Sequence, residues 1–291
     1  MSAKQNLLPV AGVLCGALVW GMIWYPYRAL QDMGISGTLA TLLSYMLALL
    51  FGAFMLPRTF RELRQQKSSG WWVLALVLSA GWANAGYVLA VLHGEVIRVL
   101  LLFYLAPLWT ILFSYLLLGE RLNHYGYFII ALSLGGACTM LWSPQPGLPL
   151  PASVAEWIGL SAGMAFALSN VVSRRAVLLS LEAKSCSVWL GTILLALACR
   201  ESGWLTQVQS IDTASWMILI LLGIVLCATS YAVQYALTQL AANRAIILFL
   251  FELVVAAVSA YFLAGEAMQL RDWLGALLII SASLLSGKMV A

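Results

Sequence analysis

The sequence predicts an all-α integral membrane protein of ten spanning helices, arranged as two inverted five-helix repeats, and three observations carry this. Of 291 residues, 63% are hydrophobic and only 9% are charged, a balance suited to lipid rather than water. The apolar residues fall in ten continuous runs, each near the ~20 residues a helix needs to cross hydrocarbon. Sliding the chain 146 places along itself, without a gap, sets Arg98 on Arg244, Phe103 on Phe249, Tyr115 on Tyr261, Gly119-Glu120 on Gly265-Glu266, Trp20 on Phe166 and Arg28 on Arg174. Each copy holds five runs, an odd number, so the second copy must insert upside down.

The predicted spans are 7–27, 38–56, 71–92, 99–118 and 125–142 in the first repeat, then 154–173, 185–199, 214–237, 245–264 and 273–287 in the second. The runs are continuous rather than alternating, which argues against a β-barrel. The first begins after Lys4 and ends in Pro26-Tyr27-Arg28 without a small-x-small cleavage site, so it reads as a retained helix rather than a signal peptide. Gly119 and Gly265 suit the C-caps of the fourth and ninth helices, and the glutamates that follow suit the positive N-terminal end of the next helix. The seventh run is the shortest. The first repeat takes in 1–142 and the second 154–291, and 143–153, with four prolines and a glycine, forms a semi-stiff spacer on the outer face.

With the N-terminus in the cytoplasm, Lys4, Arg58, Arg61, Arg64, Lys67, Arg121, Arg174, Arg175, Lys184, Arg244 and Lys288 lie inside, against Arg28, Arg98, Arg200 and Arg271 outside. That distribution follows the positive-inside rule and places both termini in the cytoplasm of a multi-pass inner-membrane protein. The net charge of +4 is accounted for by topology and implies no nucleic-acid partner. Among the acids, Glu62, Glu120 and Glu182 fall inside, and Asp32, Glu95, Glu156, Glu201, Asp212, Glu266 and Asp272 outside. Arg98 and Glu120, about 33 Å of helix apart, belong to opposite faces.

Several chemistries have no basis in the residues. Five cysteines without CxxC spacing read as small buried residues, and His93 and His124 both fall in loops, so no metal site is expected. No GxxxxGK[ST] run occurs. Gly159-Leu160-Ser161-Ala162-Gly163 matches GxSxG, but inside an apolar helix it reads as a GxxxG packing face, and Gly12–Gly16 supplies its counterpart one residue off the repeat. No cofactor is called for.

Glu252 is the exception among the acids, since it lies well inside the ninth span. A carboxyl at such depth normally faces a cavity or a partner and could take up and release a proton as the cavity opens and closes, which makes it the proton-coupling candidate. The remaining substrate-binding candidates are Trp20 and Trp24, four apart on the first helix with Tyr27 continuing their stripe; Asn84 and Tyr87 on the third; Tyr104 on the fourth; Ser169 and Asn170 on the sixth; and Tyr231 and Gln234 on the eighth. By depth Asn170, Gln234 and Glu252 belong to the inner half, and Trp24, Asn84 and Tyr87 to the outer. Aromatic walls with a few amides suit a flat or amphipathic small-molecule solute.

Tyr87-Val88-Leu89-Ala90, Leu101 to Leu108 and Leu116 to Leu122 (Leu-Leu-Leu-Gly-Glu-Arg-Leu) resemble the first half of an EamA-type member of the drug/metabolite transporter superfamily. Ala264-Gly265-Glu266 with Gly275-Ala276-Leu277-Leu278 resembles the end of its second half, and Trp20-Gly21 the Trp-Gly of its first helix. The resemblance implies a carrier in which helices one to four and six to nine surround a central cavity while five and ten brace it from outside. The chain departs from the family's frequent Glu-Pro, with Ala106-Pro107 in helix four and Glu252-Leu253 in helix nine, and has Ser44-Tyr45 where an arginine is common.

The expectation is therefore a monomeric secondary transporter that exports a small organic metabolite, an aromatic or amphipathic solute such as an amino acid, by alternating access. Two alternatives stand beside it. A multidrug carrier for aromatic cations would use Glu252 among tryptophans. An intramembrane lipid-modifying enzyme would need His, Asp or Lys in the spans, where they are scarce.

Overall fold

The computed structural model describes residues 7–65, 70–141, 151–199, 203–265 and 267–289, with the backbone alone for 63–65 and 97. Lys4, Lys67, Arg200, Glu201, Glu266 and most of the 143–153 spacer therefore lie outside the described residues, as does the side chain of Arg64. Among the described residues nine helices are long and apolar enough to cross a membrane, and a bent pair, taken as one span, makes the tenth. These are α1 (Leu7–Met22 and Trp24–Asp32), α2 (Gly37–Phe51 and Ala53–Glu62), α3 (Gly70–His93), α4 (Val96–Phe103 and Ala106–Leu118) and α5 (His124–Leu141). The second repeat gives α6 (Val154–Arg175), α7 (Leu181–Ala198), α8 (Thr213–Gln239), α9 (Ala242–Phe249 and Phe251–Ala264) and α10 (Leu270–Leu285, continued by a tight turn at Ser286–Lys288).

Four spans read as continuous in the sequence are broken or bent. In α1 Pro26 has no N–H for the Met22 carbonyl, and in α4 Pro107 has none for Phe103, so the ladder is interrupted just before each. The break in α9, at Leu250, occurs without a proline. In α2 the axis turns by 53° at Gly52, where the ring of Trp189 from α7 leaves no room for a side chain. The seventh span starts four residues before its predicted bound, so Lys184 lies inside a helix, 1% exposed, rather than in a loop.

Helix contacts obey the internal repeat. Helix α3 packs on α6 and α7, as α8 packs on α1 and α2; α4 packs on α6, as α9 packs on α1. Exchanging the repeats maps each of these contacts onto another, and α2–α7, α4–α9 and α5–α10 map onto themselves, so these three pairs mark the pseudo-two-fold axis. Two inverted five-helix units facing each other require this pattern. Lipid supplies no hydrophobic drive between helices, so small residues at the crossings let the backbones approach. Gly163 sits on the Phe103 carbonyl of α4, where a Cβ would overlap it, and Gly136 meets Gly275 where α5 braces α10.

The glycine pair of α1 does not mirror that of α6. Gly159 and Gly163 face α4, whereas Gly12 and Gly16 face Ala232, Val233 and Ala236 of α8. A one-residue offset turns a helical position by about 100°, which swings the pair to a different neighbour. Gly16 is matched instead by Ala162, which packs on Gly86 of α3.

Candidate functional site

The halves of α4 end at Phe103 and those of α9 at Phe249, positions equivalent in the repeat, so two broken helices meet at matching depth on the axis. Glu252 occupies the first turn of the outgoing half of α9, ten residues from the start of that span. Ten residues are ~15 Å of helix, half of a ~30 Å hydrocarbon core. It therefore lies well inside that span. The positive end of a half-helix stabilises charge on such a residue. The phenols of Tyr104, at the α4 break, and of Tyr87 on α3 both lie within electrostatic reach of the Glu252 carboxyl. The structure thereby brings together three predicted residues from three spans.

An aromatic ladder runs from this cluster across both repeats. Tyr87 stands 5.0 Å from Phe103, Phe103 stands 5.6 Å from Phe166, Phe166 stands 5.4 Å from Phe249, and Phe249 stands 5.8 Å from Trp20. Tyr104 leans edge-on against Phe103 at 5.4 Å. The Trp20–Phe249 and Phe166–Phe103 contacts are repeat mates. The three phenylalanines were absent from the predicted site, although Phe103 and Phe249 already coincided in the repeat.

Other predicted residues are engaged elsewhere. Asn84 accepts a hydrogen bond from Tyr45 at 2.9 Å and donates to the Ala80 carbonyl at 2.8 Å, so its amide is occupied, and Tyr45 also lies beside Trp20. Tyr45, noted in the sequence only as standing where an arginine is common, thus serves as a buried partner of Asn84. Trp24 donates to Ser259 of α9 and ties the two helices. It and Trp20 lie on opposite sides of the α1 break, so the expected continuous stripe is interrupted. Ser169 bonds back to the Phe166 carbonyl at 2.9 Å. Tyr231 packs against the α2–α7–α8 cluster.

Asn170 and Gln234 form a separate set. Arg174 of α6 donates to the Thr238 carbonyl of α8, and these helices run parallel. One turn back along each lie Asn170 and Gln234, 3% and 5% exposed, with Asn170 Nδ2 and Gln234 Oε1 unpartnered. A buried amide without a partner is costly, and the pair offers one donor and one acceptor at a single level.

Both ends of the bundle are tied across the repeats. On the face where the chain enters, Glu120 accepts from the Ala242 amide at 3.1 Å and lies 3.7 Å from Arg174. Gly119 and Gly265 adopt left-handed conformations, with φ of 70° and 69°, as helix caps. Glu120, however, caps α9 rather than the adjoining α5. Also on this face, Arg58 pairs with Glu182 at 2.8 Å and Glu62 accepts from the Ser180 amide at 2.9 Å, fastening α2 to α7. On the far face Arg98 meets Glu156 through two bonds of 2.9 and 3.0 Å.

The EamA-like transporter family matches residues 7–142 and again 153–287. An uncharacterized transporter of Pseudomonas aeruginosa is 30% identical over 57% of this chain, the match spanning 54% of that protein, about half its length. An uncharacterized transporter of Archaeoglobus fulgidus is 28% identical over 70% of this chain and 72% of its own. A solved crystal structure of a protein superposes with a TM-score of 0.76 over 99% of this chain and 98% of that one, at 19% identity, which establishes likeness of fold. With two matches that together cover nearly all of it, this chain belongs to the EamA-like transporter family and is a multi-pass membrane protein.

Proposed function

We propose that the protein exports a small organic solute with an aromatic or amphipathic body by alternating access, with Glu252 exchanging a proton during the cycle. The observation that carries this reading is the convergence of Glu252, Tyr104 and Tyr87 beside the breaks of α4 and α9, well inside the spans. A carboxylate there must be solvated or paired, and protonation removes the charge that closure would otherwise desolvate. The ladder from Tyr87 to Trp20 supplies an apolar wall, and Asn170 with Gln234 supplies polar contacts one turn above the Arg174–Thr238 tie. Release of Glu120 and Arg174 would open one end, and release of Arg98 from Glu156 the other.

In this reading both termini lie in the cytoplasm, the membrane is the inner one, the carrier works as a monomer in the bilayer, and it catalyses no covalent chemistry. The test is a thermal-shift screen of purified protein against a metabolite panel, since a ligand that prefers the folded state raises its midpoint. Hits are then followed by proteoliposome transport with and without a proton gradient. Transport indifferent to that gradient removes the proton step. A second reading, a carrier of aromatic cations, is favoured by the same carboxyl beside aromatic rings. Competition by cationic dyes stronger than by neutral or zwitterionic aromatic solutes would decide for it.

A further inference from the structure

The repeat sets an arginine near the start of α4 and of α9, Arg98 and Arg244, yet the two are satisfied differently. Arg98 is held by Glu156 of α6 through two hydrogen bonds. The repeat position of Glu156 in α1 is Val10, so the symmetric carboxylate does not exist. Glu120 binds the amide of Ala242, two residues from Arg244, but engages Arg174 instead. No carboxylate among the described residues acts on Arg244, whose Nε is buried without a hydrogen-bond partner. Its guanidinium lies against the closing turn of α10, where a Cβ at Gly287 would stand 3.8 Å from its terminal nitrogen, and the exposed Lys288 follows in the chain.

A half-buried guanidinium with a donor unused is costly, and its fork of N–H groups matches the oxygens of a phosphate or carboxylate. We infer that Arg244, at the end of the bundle where the chain enters, is an oxyanion-binding site that takes from outside the chain the partner that Glu156 gives Arg98. The site lies where α9 and α10 reach one face of the membrane, the level of lipid phosphates, and an inorganic phosphate offers the same oxygens.

The experiment measures thermal unfolding of the full chain in nanodiscs of phosphatidylcholine alone, of phosphatidylcholine with phosphatidylglycerol, and of phosphatidylcholine with inorganic phosphate against chloride of equal ionic strength. Wild-type protein is expected to gain stability from the anion, and Arg244→Gln to lose most of that gain. Arg61→Gln, which alters an exposed cation of α2, is expected to keep it. A gain confined to phosphatidylglycerol identifies a headgroup, and a gain with phosphate as well identifies a soluble oxyanion. If Arg244→Gln does not fold, Arg244→Lys, which keeps the charge but not the fork, is expected to show a reduced gain. The inference is overturned if neither anion stabilises the wild type, or if Arg244 variants are destabilised equally in all conditions with the gain intact, as a residue that only caps α10 would be.

Discussion

The indole Nε1 of Trp24 donates to the Ser259 hydroxyl at 2.9 Å, and that hydroxyl in turn lies within hydrogen-bonding reach of the Gly21 and Ala256 carbonyls. The bond joins the second half of α1 to α9 across the repeats and leaves the indole N–H no capacity for a solute. Hydrogen bonds between spanning helices contribute about 0.6 kcal/mol on average. A double-mutant cycle with Trp24→Phe and Ser259→Ala is expected to give coupling of that order in unfolding, with solute affinity unchanged in Trp24→Phe. A large loss of affinity in that variant would return Trp24 to the solute's path.

Glu252→Gln keeps the size and hydrogen-bonding capacity of the side chain but cannot titrate. Transport driven by a proton gradient is expected to be abolished, because the side chain can no longer take up and release a proton, while solute counterflow survives. Tyr104→Phe, which removes the hydroxyl nearest in charge influence to that carboxyl, is expected to shift the pH profile of transport. Unchanged rate and pH profile in both variants would take the cluster out of the mechanism.

Two glycine substitutions should move stability in opposite directions. A Cβ at Gly163 would collide with the Phe103 carbonyl, whereas one at Gly135 meets nothing within 4 Å. Gly163→Ala is expected to cost about 1–3 kcal/mol as the α4–α6 crossing is forced apart. Gly135→Ala is expected to gain about 0.5–1 kcal/mol from reduced backbone entropy in a helix. Thermal unfolding in one detergent compares them directly.

Asp212 caps α8, and its carboxyl accepts the Ser215 amide at 2.9 Å. The Ser215 side chain and amide hold its pKa below the ordinary carboxylate value of 3.8. A lowered folded-state pKa contributes stability that is present above the unfolded value and is lost as pH falls through the folded one. Asp212→Asn, which keeps an acceptor without a titrating group, is expected to flatten the fall in unfolding temperature below about pH 4. An identical acid limb in the variant would show that the cap contributes nothing there.

Much of the architecture could be read directly. Ten spans follow from run lengths, and the 146-residue repeat gives their inversion; the αL caps at Gly119 and Gly265 follow from residue type. Glu252 stood out because a carboxyl in hydrocarbon has few explanations. What escaped was contact. Phe103, Phe166 and Phe249 are unremarkable in an apolar run and become a ladder only when α4, α6 and α9 converge. Tyr45 occupies Asn84, and Ser259 occupies Trp24, through bonds between residues 39 and 235 positions apart.

The sequence by itself determined which segments enter the bilayer and that the second half inverts the first, because both depend on the local cost of burying polar groups and on the parity of crossings. Only the tertiary structure decided which polar side chains are consumed by neighbours and which stay open. A residue's partners depend on helix rotation and breakage, and a one-residue offset or a single proline redirects them by about 100° or ends the ladder. Trp24 was thus turned into a tie between helices, Glu252 was set near Tyr104 and Tyr87, and Arg244 was left without the acid that Arg98 has.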